Sequence, residues 1–186
     1  MIRAAGARFT DNPGAMNLLH AAGLILEPQT AAHADEMFVV LSDPAIYEYE
    51  NEPPPSVESL RARFRRLESR QSPDGRQRWL NWVIRVPQAG LIGFVQATLH
   101  ADGSAAIAYE LGSAHWGRGL ARRATTAVID ELVTHYRVRQ LVAVLKRDNH
   151  RSLRLLERLG FAPAPPALRA THPIEADELL MWRAVA

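Results

Sequence analysis

Residues 115–124 read HWGRGLARRA. Gly117 and Gly119 stand two apart around Arg118, and the chain then runs straight into a stretch rich in alanine and arginine. Glycine at such a place costs backbone entropy, so something there needs the backbone bare. The stretch follows an apolar strand, SAAIAYELG at 104–112, and opens a helix over 118–136 in which Ala121, Ala124, Val128 and Leu132 share one face. A helix N-terminus carries unpaired N–H groups and the positive end of the helix dipole. Glycines let a phosphate approach those groups closely, and Arg118, Arg122 and Arg123 add positive charge. The stretch therefore reads as a pyrophosphate cradle. Taken alone, it reads as well as a glycine turn between a strand and a helix, with its arginines solvated. The absence of GxxxxGK[ST] excludes a P-loop, and the spacing is not the GxGxxG of a first βα unit.

Working outward, the period changes along the chain as in a mixed α/β domain. LILEP at 24–28 reads as a short strand ending at a proline. Residues 30–42 read as a helix capped by Thr30, and 43–55 as a loop stopped by three prolines. Ser56 caps a second helix that runs to about residue 70, with Val57, Leu60, Phe64 and Leu67 on one face. RWLNWVIRV (78–86) and GLIGFVQATLH (90–100), joined by PQAG, form a hairpin. QLVAVL (140–145) is a wholly apolar strand suited to the centre of a sheet. Residues 149–161 form a short helix closing on Gly160, and two last strands are expected near 167–171 and 178–184. Residues 1–22 show no clear period and read as an N-terminal extension, leaving 23–186 as one domain.

Composition narrows the function classes. The formal net charge is only +2, with a single lysine, Lys146, so no global charge favours nucleic acid. Arg61, Arg63, Arg65 and Arg66 spread around a helix and suit a solvated face better than a DNA-binding one, which would need salt-dependent binding to support it. There is no cysteine, which excludes disulfides, a thiol nucleophile and cysteine-based zinc sites. His115 and His150 read as surface residues, and no metal is expected. No apolar run approaches a membrane span and the N-terminus lacks a compact apolar segment. A cytoplasmic location is the expectation.

About thirty residues beyond the glycines comes RDNHRSLRLLERLGF at 147–161. Asn149 and Ser152 lie three apart at a helix start, where both residue types suit capping. YELGSAHWGRGLARRATTAVIDEL followed by VLKRDNHRSLRLLERLGF resembles the GNAT superfamily of acetyl-CoA-dependent N-acetyltransferases, and more narrowly the branch containing the ribosomal-protein N-terminal acetyltransferases. The family signature Q/R-x-x-G-x-G/A is met by Trp116, Gly119 and Ala121, with Trp116 departing from Gln or Arg. The second signature, N-x-x-S followed by G-F, is met by Asn149, Ser152, Gly160 and Phe161. The resemblance implies one α/β domain. Its mixed sheet has about six or seven strands, splayed between 104–112 and 140–145 and flanked by about four helices.

The resemblance also implies the chemistry. Acetyl-CoA would lie in the splay, with Leu111 beside the pantetheine arm, the backbone of Gly117, Arg118, Gly119, Leu120, Ala121 and Arg122 on the pyrophosphate, and Asn149 opposite. Direct acyl transfer to an amine needs proximity, a base for the amine and a proton for the leaving thiolate. Ser152 matches the serine proposed as the acid in this branch. Glu110, the only carboxylate on the cleft strand, is the candidate base acting through water, or else a structural residue, since Ala106 stands where relatives often carry a glutamate. Trp79 and Trp82 point to opposite faces of their strand; Trp82 is assigned to the acceptor pocket with Tyr49. Tyr47, Tyr49, Glu48, Glu50 and Glu52 form an acidic loop suited to a cationic amine, such as a protein N-terminus or a small-molecule amine, and equally readable as a solvated loop. Two further alternatives stay open: a non-catalytic acyl-CoA sensor on the same fold, and a homodimer as partner.

Overall fold

The computed structural model describes residues 15–49 and 51–185. Eight strands form one sheet in the order β1-β2-β3-β4-β5-β6-β8-β7. They are β1 (Leu19–Ala21), β2 (Leu24–Pro28), β3 (Gln77–Val86), β4 (Gly90–His100), β5 (Ser104–Leu111), β6 (Gln140–Lys146), β7 (Ala162–Pro163) and β8 (Glu178–Ala184). The helices are α1 (Ala34–Leu41), α2 (Val57–Leu67), α3 (Leu120–Thr134), α4 (His150–Arg158) and the single turn α5 (Pro166–Arg169).

Strand alternation sorts the side chains into two layers. Leu80, Trp82 and Ile84 of β3 join Leu120, Ala124, Val128 and Leu132 of α3 and Leu156 of α4 in one apolar core. Val83, on the opposite face, packs with Met37 of α1 and with Leu60 and Phe64 of α2. The helices begin where the sequence supplies caps. Ser56 Oγ accepts from Ser59 N at 3.1 Å to start α2, and Asn149 Oδ1 accepts from Ser152 N at 3.0 Å to start α4. Each satisfies a donor that the first helical turn leaves free.

The site is made by one interruption of the sheet. β5 and β6 run parallel and pair only over Ser104–Ala106 and Gln140–Val142. Beyond that point they diverge, while each stays bonded on its outer side, β5 to β4 as far as Leu111 opposite Gly93 and β6 to β8 along its whole length. Gly93 is required by this pairing: a Cβ there would run into the Glu110 carbonyl oxygen.

Three expectations change. Leu19–Ala21, within the stretch read as an extension, pairs antiparallel with β2; residues 1–14 lie outside the described residues. The strand expected near 167–171 is a helical turn, because Pro165 and Pro166 supply no N–H to a ladder and Pro166 starts a helix readily; the strand sits earlier, at β7, pairing with β8. These two short strands raise the sheet to eight.

Candidate active site

Gly117 and Gly119 have φ of +71° and +70°, and Gly119 is the N-cap of α3. Apart from the glycines' own chain neighbours, no atom of the described residues lies within 4 Å of where a Cβ would stand at either position. The conformation demands glycine here, and the turn leaves the first amides of α3 beside open space. That space is a cavity of ≈ 420 Å³ walled by Leu111, Trp116, Ala121 and the glycines, with Arg122, Arg151, Arg154 and Arg158 around it and no carboxylate among the described residues that line it. Leu120 is 5% exposed, so its side chain serves the core and only its backbone faces the turn. Arg118 does not join this wall. It lines a neighbouring groove with Arg123 and Asp130.

The cavity narrows where β5 and α4 face each other. A constriction of ≈ 90 Å³ is bounded by Tyr49, Tyr109, Glu110, Trp116, Asn149 and Ser152. Tyr109 Oη and Ser152 Oγ share a hydrogen bond of 2.7 Å, and Tyr109 Oη also donates to the Ser152 carbonyl at 3.3 Å. Burial is the main cause that pushes the Tyr109 phenol up to about 12, with the Glu110 charge adding to it and the Ser152 bond opposing it. Trp116, at the position where Gln or Arg was expected, donates its indole N–H to the Leu111 carbonyl at 2.8 Å.

Beyond the constriction lies a second cavity of ≈ 500 Å³ on the α1/α2 side of the sheet, with Tyr47, Glu52, Arg63, Gln96, Tyr109 and Glu110 among its walls. Strand register settles the direction of Glu110. It pairs with Phe94, as Ala108 pairs with Gln96, and all four line this cavity. Its loop wall is anchored by Asp43, whose Oδ2 accepts from Ser113 N at 2.7 Å and Oδ1 from Ala45 N at 3.0 Å. The bonds from Ser113 hold the Asp43 carboxyl below its usual range.

Of the residues singled out from sequence, Leu111, Gly117, Gly119, Ala121 and Arg122 share the arginine-lined cavity, and Tyr49, Glu110, Asn149 and Ser152 share the constriction. Trp82 belongs to neither. It is 0% exposed beneath α3 and donates its indole N–H to the Asn17 carbonyl at 3.0 Å, because β3 is an interior strand and that face is covered. Trp79, the alternative, bonds its indole to Gln77 Oε1 at 3.2 Å. Glu50 lies outside the described residues. Sequence reasoning reads Tyr109 as core packing in preference to pocket wall, whereas it lines both the constriction and the second cavity; it missed Arg151, Arg154 and Arg158. The three arginines carried a signal in their spacing of three and four along α4, which puts them on one face.

The sequence model of the family described as Acetyltransferase (GNAT) domain matches residues 23–162. The uncharacterized N-acetyltransferase p20 of Bacillus licheniformis is 27% identical over 148 residues, covering 78% of this chain and 83% of that protein. Among solved structures, the ribosomal-protein-S5-alanine acetyltransferase of Vibrio fischeri superposes with a TM-score of 0.74 at 18% identity, over 91% of this chain and 97% of that one. The spermidine N-acetyltransferase of Vibrio cholerae, in complex with CoA and spermine, gives 0.69 at 19% identity, over 88% and 96%.

Proposed function

The chain belongs to the GNAT acetyltransferase family and is an N-acetyltransferase, and from that premise we propose that it moves the acetyl group of acetyl-CoA to a primary amine held in the α1/α2-side cavity. One observation carries this reading: the acid-free, arginine-lined cavity and the larger cavity meet at a constriction, and Tyr109, Glu110 and Ser152 line both the constriction and the larger space. A polyanion suits one side and a second reactant the other. A non-catalytic acyl-CoA binder needs neither the second cavity nor the Tyr109–Ser152 pair.

The lining fits coenzyme A. The α3 amides behind Gly119 suit a pyrophosphate. Arg122, Arg154 and Arg158 suit further phosphate charge, and Leu111, Ala121 and Leu155 give an apolar wall for a thin arm. Asn149 lines the constriction with its Oδ1 fixed by the α4 cap. When bound, acetyl-CoA supplies the acetyl as a thioester: a C–N bond replaces the C–S bond, one proton leaves the amine and one reaches the sulfur.

The chain's own groups are arranged for those two protons. Glu110, on the acceptor side, takes the amine proton through a water, since only the neutral amine attacks. Tyr109 keeps its phenolic proton throughout the neutral range, as an ordinary phenol does, and burial lifts its titration further, to about 12. Ser152, 2.7 Å away, holds the donor hydrogen at the boundary between the cavities. Among the relatives, one is named for a ribosomal protein and one for spermidine, so both peptide and small-molecule amines are classes to test.

The test is calorimetric titration of acetyl-CoA into the wild type and Gly119→Glu, with circular dichroism to confirm that both are folded. Residue 119 lines the cavity, where an added carboxylate opposes a pyrophosphate, and binding is expected to fall by about 100-fold or more, the loss of one or two charge-assisted bonds plus repulsion. A folded wild type that does not bind acetyl-CoA overturns the proposal.

A further inference from the structure

The end of the acceptor cavity away from Ser152 is chemically unlike the end beside it. Gln29 follows β2, and its backbone N donates to the Asn81 carbonyl at 2.9 Å. Its side chain is 7% exposed, yet its amide nitrogen has no hydrogen-bond partner among the described residues. Gln29 faces a small annex of ≈ 10 Å³ whose walls share Leu41, Arg63, Phe94 and Gln96 with the acceptor cavity. A buried N–H donor without a partner costs free energy, and native proteins rarely leave one. An acceptor atom arriving from the cavity, directly or through one water, recovers that cost.

Arg63 lines both the annex and the cavity. Among the described residues it makes no ion pair, whereas Arg61, two residues earlier on the same helix, binds Asp35 at 2.6 Å. Among the described residues no carboxylate lines the annex. At the other end Glu110 lines the cavity and the constriction. Tyr47, whose hydroxyl donates to the Leu41 carbonyl at 2.7 Å, shares the cavity wall with both charges; burial chiefly raises its titration, with Glu110 adding to the rise and Arg63 opposing it. The cavity therefore carries donors at the annex and Glu110 beside the Tyr109–Ser152 pair, with Glu52 also in its wall.

We propose that Arg63 and Gln29 form a carboxylate subsite, and that the acceptor is a small amino-carboxylate, with its amine at Glu110 and its carboxylate at Arg63. This rests on the acetyl-transfer reading above and narrows its acceptor. A guanidinium fork matches a carboxylate in two parallel bonds, and Gln29 adds a third donor. A linear polycation brings only positive charge to Arg63, and the mid-chain of a peptide brings only a neutral carbonyl. A cavity of ≈ 500 Å³ holds a molecule of amino-acid size with room to spare.

The test is free-thiol release from acetyl-CoA by the full chain, with the twenty L-amino acids, the matching amino-acid amides and spermidine as acceptors. At least one free amino acid is expected to exceed its own amide by about tenfold or more in kcat/KM, because the amide is uncharged and turns an NH2 donor where the carboxylate has its second acceptor oxygen. The amide's amine is the less basic of the two and more of it is neutral, so that preference cannot come from the amine. Arg63→Gln is expected to remove the preference by raising KM for the acid while KM for acetyl-CoA holds. Arg63→Lys is expected to restore part of it, and Gln29→Leu to raise the same KM more modestly. Thermal melts of each variant check the fold. Amides equal to or better than acids, spermidine as the sole substrate, or a preference that survives Arg63→Gln would overturn the carboxylate subsite while leaving acetyl transfer standing. No thiol release to any of these amines overturns the carboxylate subsite, and acetyl-CoA binding with no release to these or to a peptide N-terminus overturns both.

Discussion

The Arg151 guanidinium lies over the Trp116 ring, 3.4 Å from its centroid. The same ring donates its indole N–H to the Leu111 carbonyl at 2.8 Å, and the same guanidinium reaches Glu48 at 3.5 Å. Four parts of the chain are thus tied in series: the end of β5, the turn before α3, the first turn of α4 and the loop after α1. The strap crosses the constriction between the two cavities. A cation over an indole face contributes about 0.5–2 kcal/mol, depending on its desolvation.

Trp116→Phe keeps a ring beneath Arg151 and removes the indole N–H. The Leu111 carbonyl then loses its partner, worth about 1 kcal/mol. KM for acetyl-CoA is expected to rise about fivefold with kcat less affected, and Trp116→Ala to do more damage than Trp116→Phe. Steady-state kinetics with acetyl-CoA varied checks this. Equal kinetics in wild type and Trp116→Phe would show that the indole bond does not position the cleft wall.

Tyr109→Phe removes the hydroxyl bonded to Ser152. If the pair delivers the proton to sulfur, kcat falls by about 100-fold at constant KM for acetyl-CoA. The same variant changes the base stability of the fold. The folded phenol titrates at about 12 against an ordinary value of 10.0, so between those values the unfolded chain has given up a proton that the folded chain retains. Its contribution is complete below pH 10 and is lost as pH rises toward 12. Denaturant melts across this window are expected to fall more steeply for wild type than for Tyr109→Phe, and parallel slopes would contradict the burial of that hydroxyl.

Thr125 on α3 is 0% exposed, and its hydroxyl has no partner among the described residues. Valine has nearly the same shape and no donor to strand. Thr125→Val is expected to raise stability by about 1 kcal/mol, the desolvation cost of the unpaired hydroxyl. Chemical denaturation measures it, and an equal loss would mean that the hydroxyl is bonded in solution.

The glycine turn before α3 and the cap of α4 were legible because their signals are local. A left-handed glycine at a helix start and an asparagine bonding three residues ahead are fixed within a few residues of chain, so Gly119 and Asn149 could be placed from spacing. Tyr109 and Ser152 are 43 residues apart and meet only because the α3 crossover returns β6 beside β5. Trp82 shows the same limit from the other side. Alternation along β3 put Trp79 and Trp82 on opposite faces, but which face is roofed by α3 is a property of the whole sheet. The two short strands and the α5 turn escaped for a related reason. Segments of two to four residues carry no period, and only the neighbour they pair with or the prolines beside them decide their form.

The divergence of β5 and β6 gives the sheet an interior pair of free margins. An edge left open at the rim of a sheet invites another chain to add to it. Here the open margins face each other inside the molecule, roofed by α3 and α4, and each strand is braced from behind by a full antiparallel neighbour. The frame of the gap is therefore fixed on both sides by the sheet itself. Whatever extended chain fills it docks into a finished frame and loses mainly its own freedom in doing so.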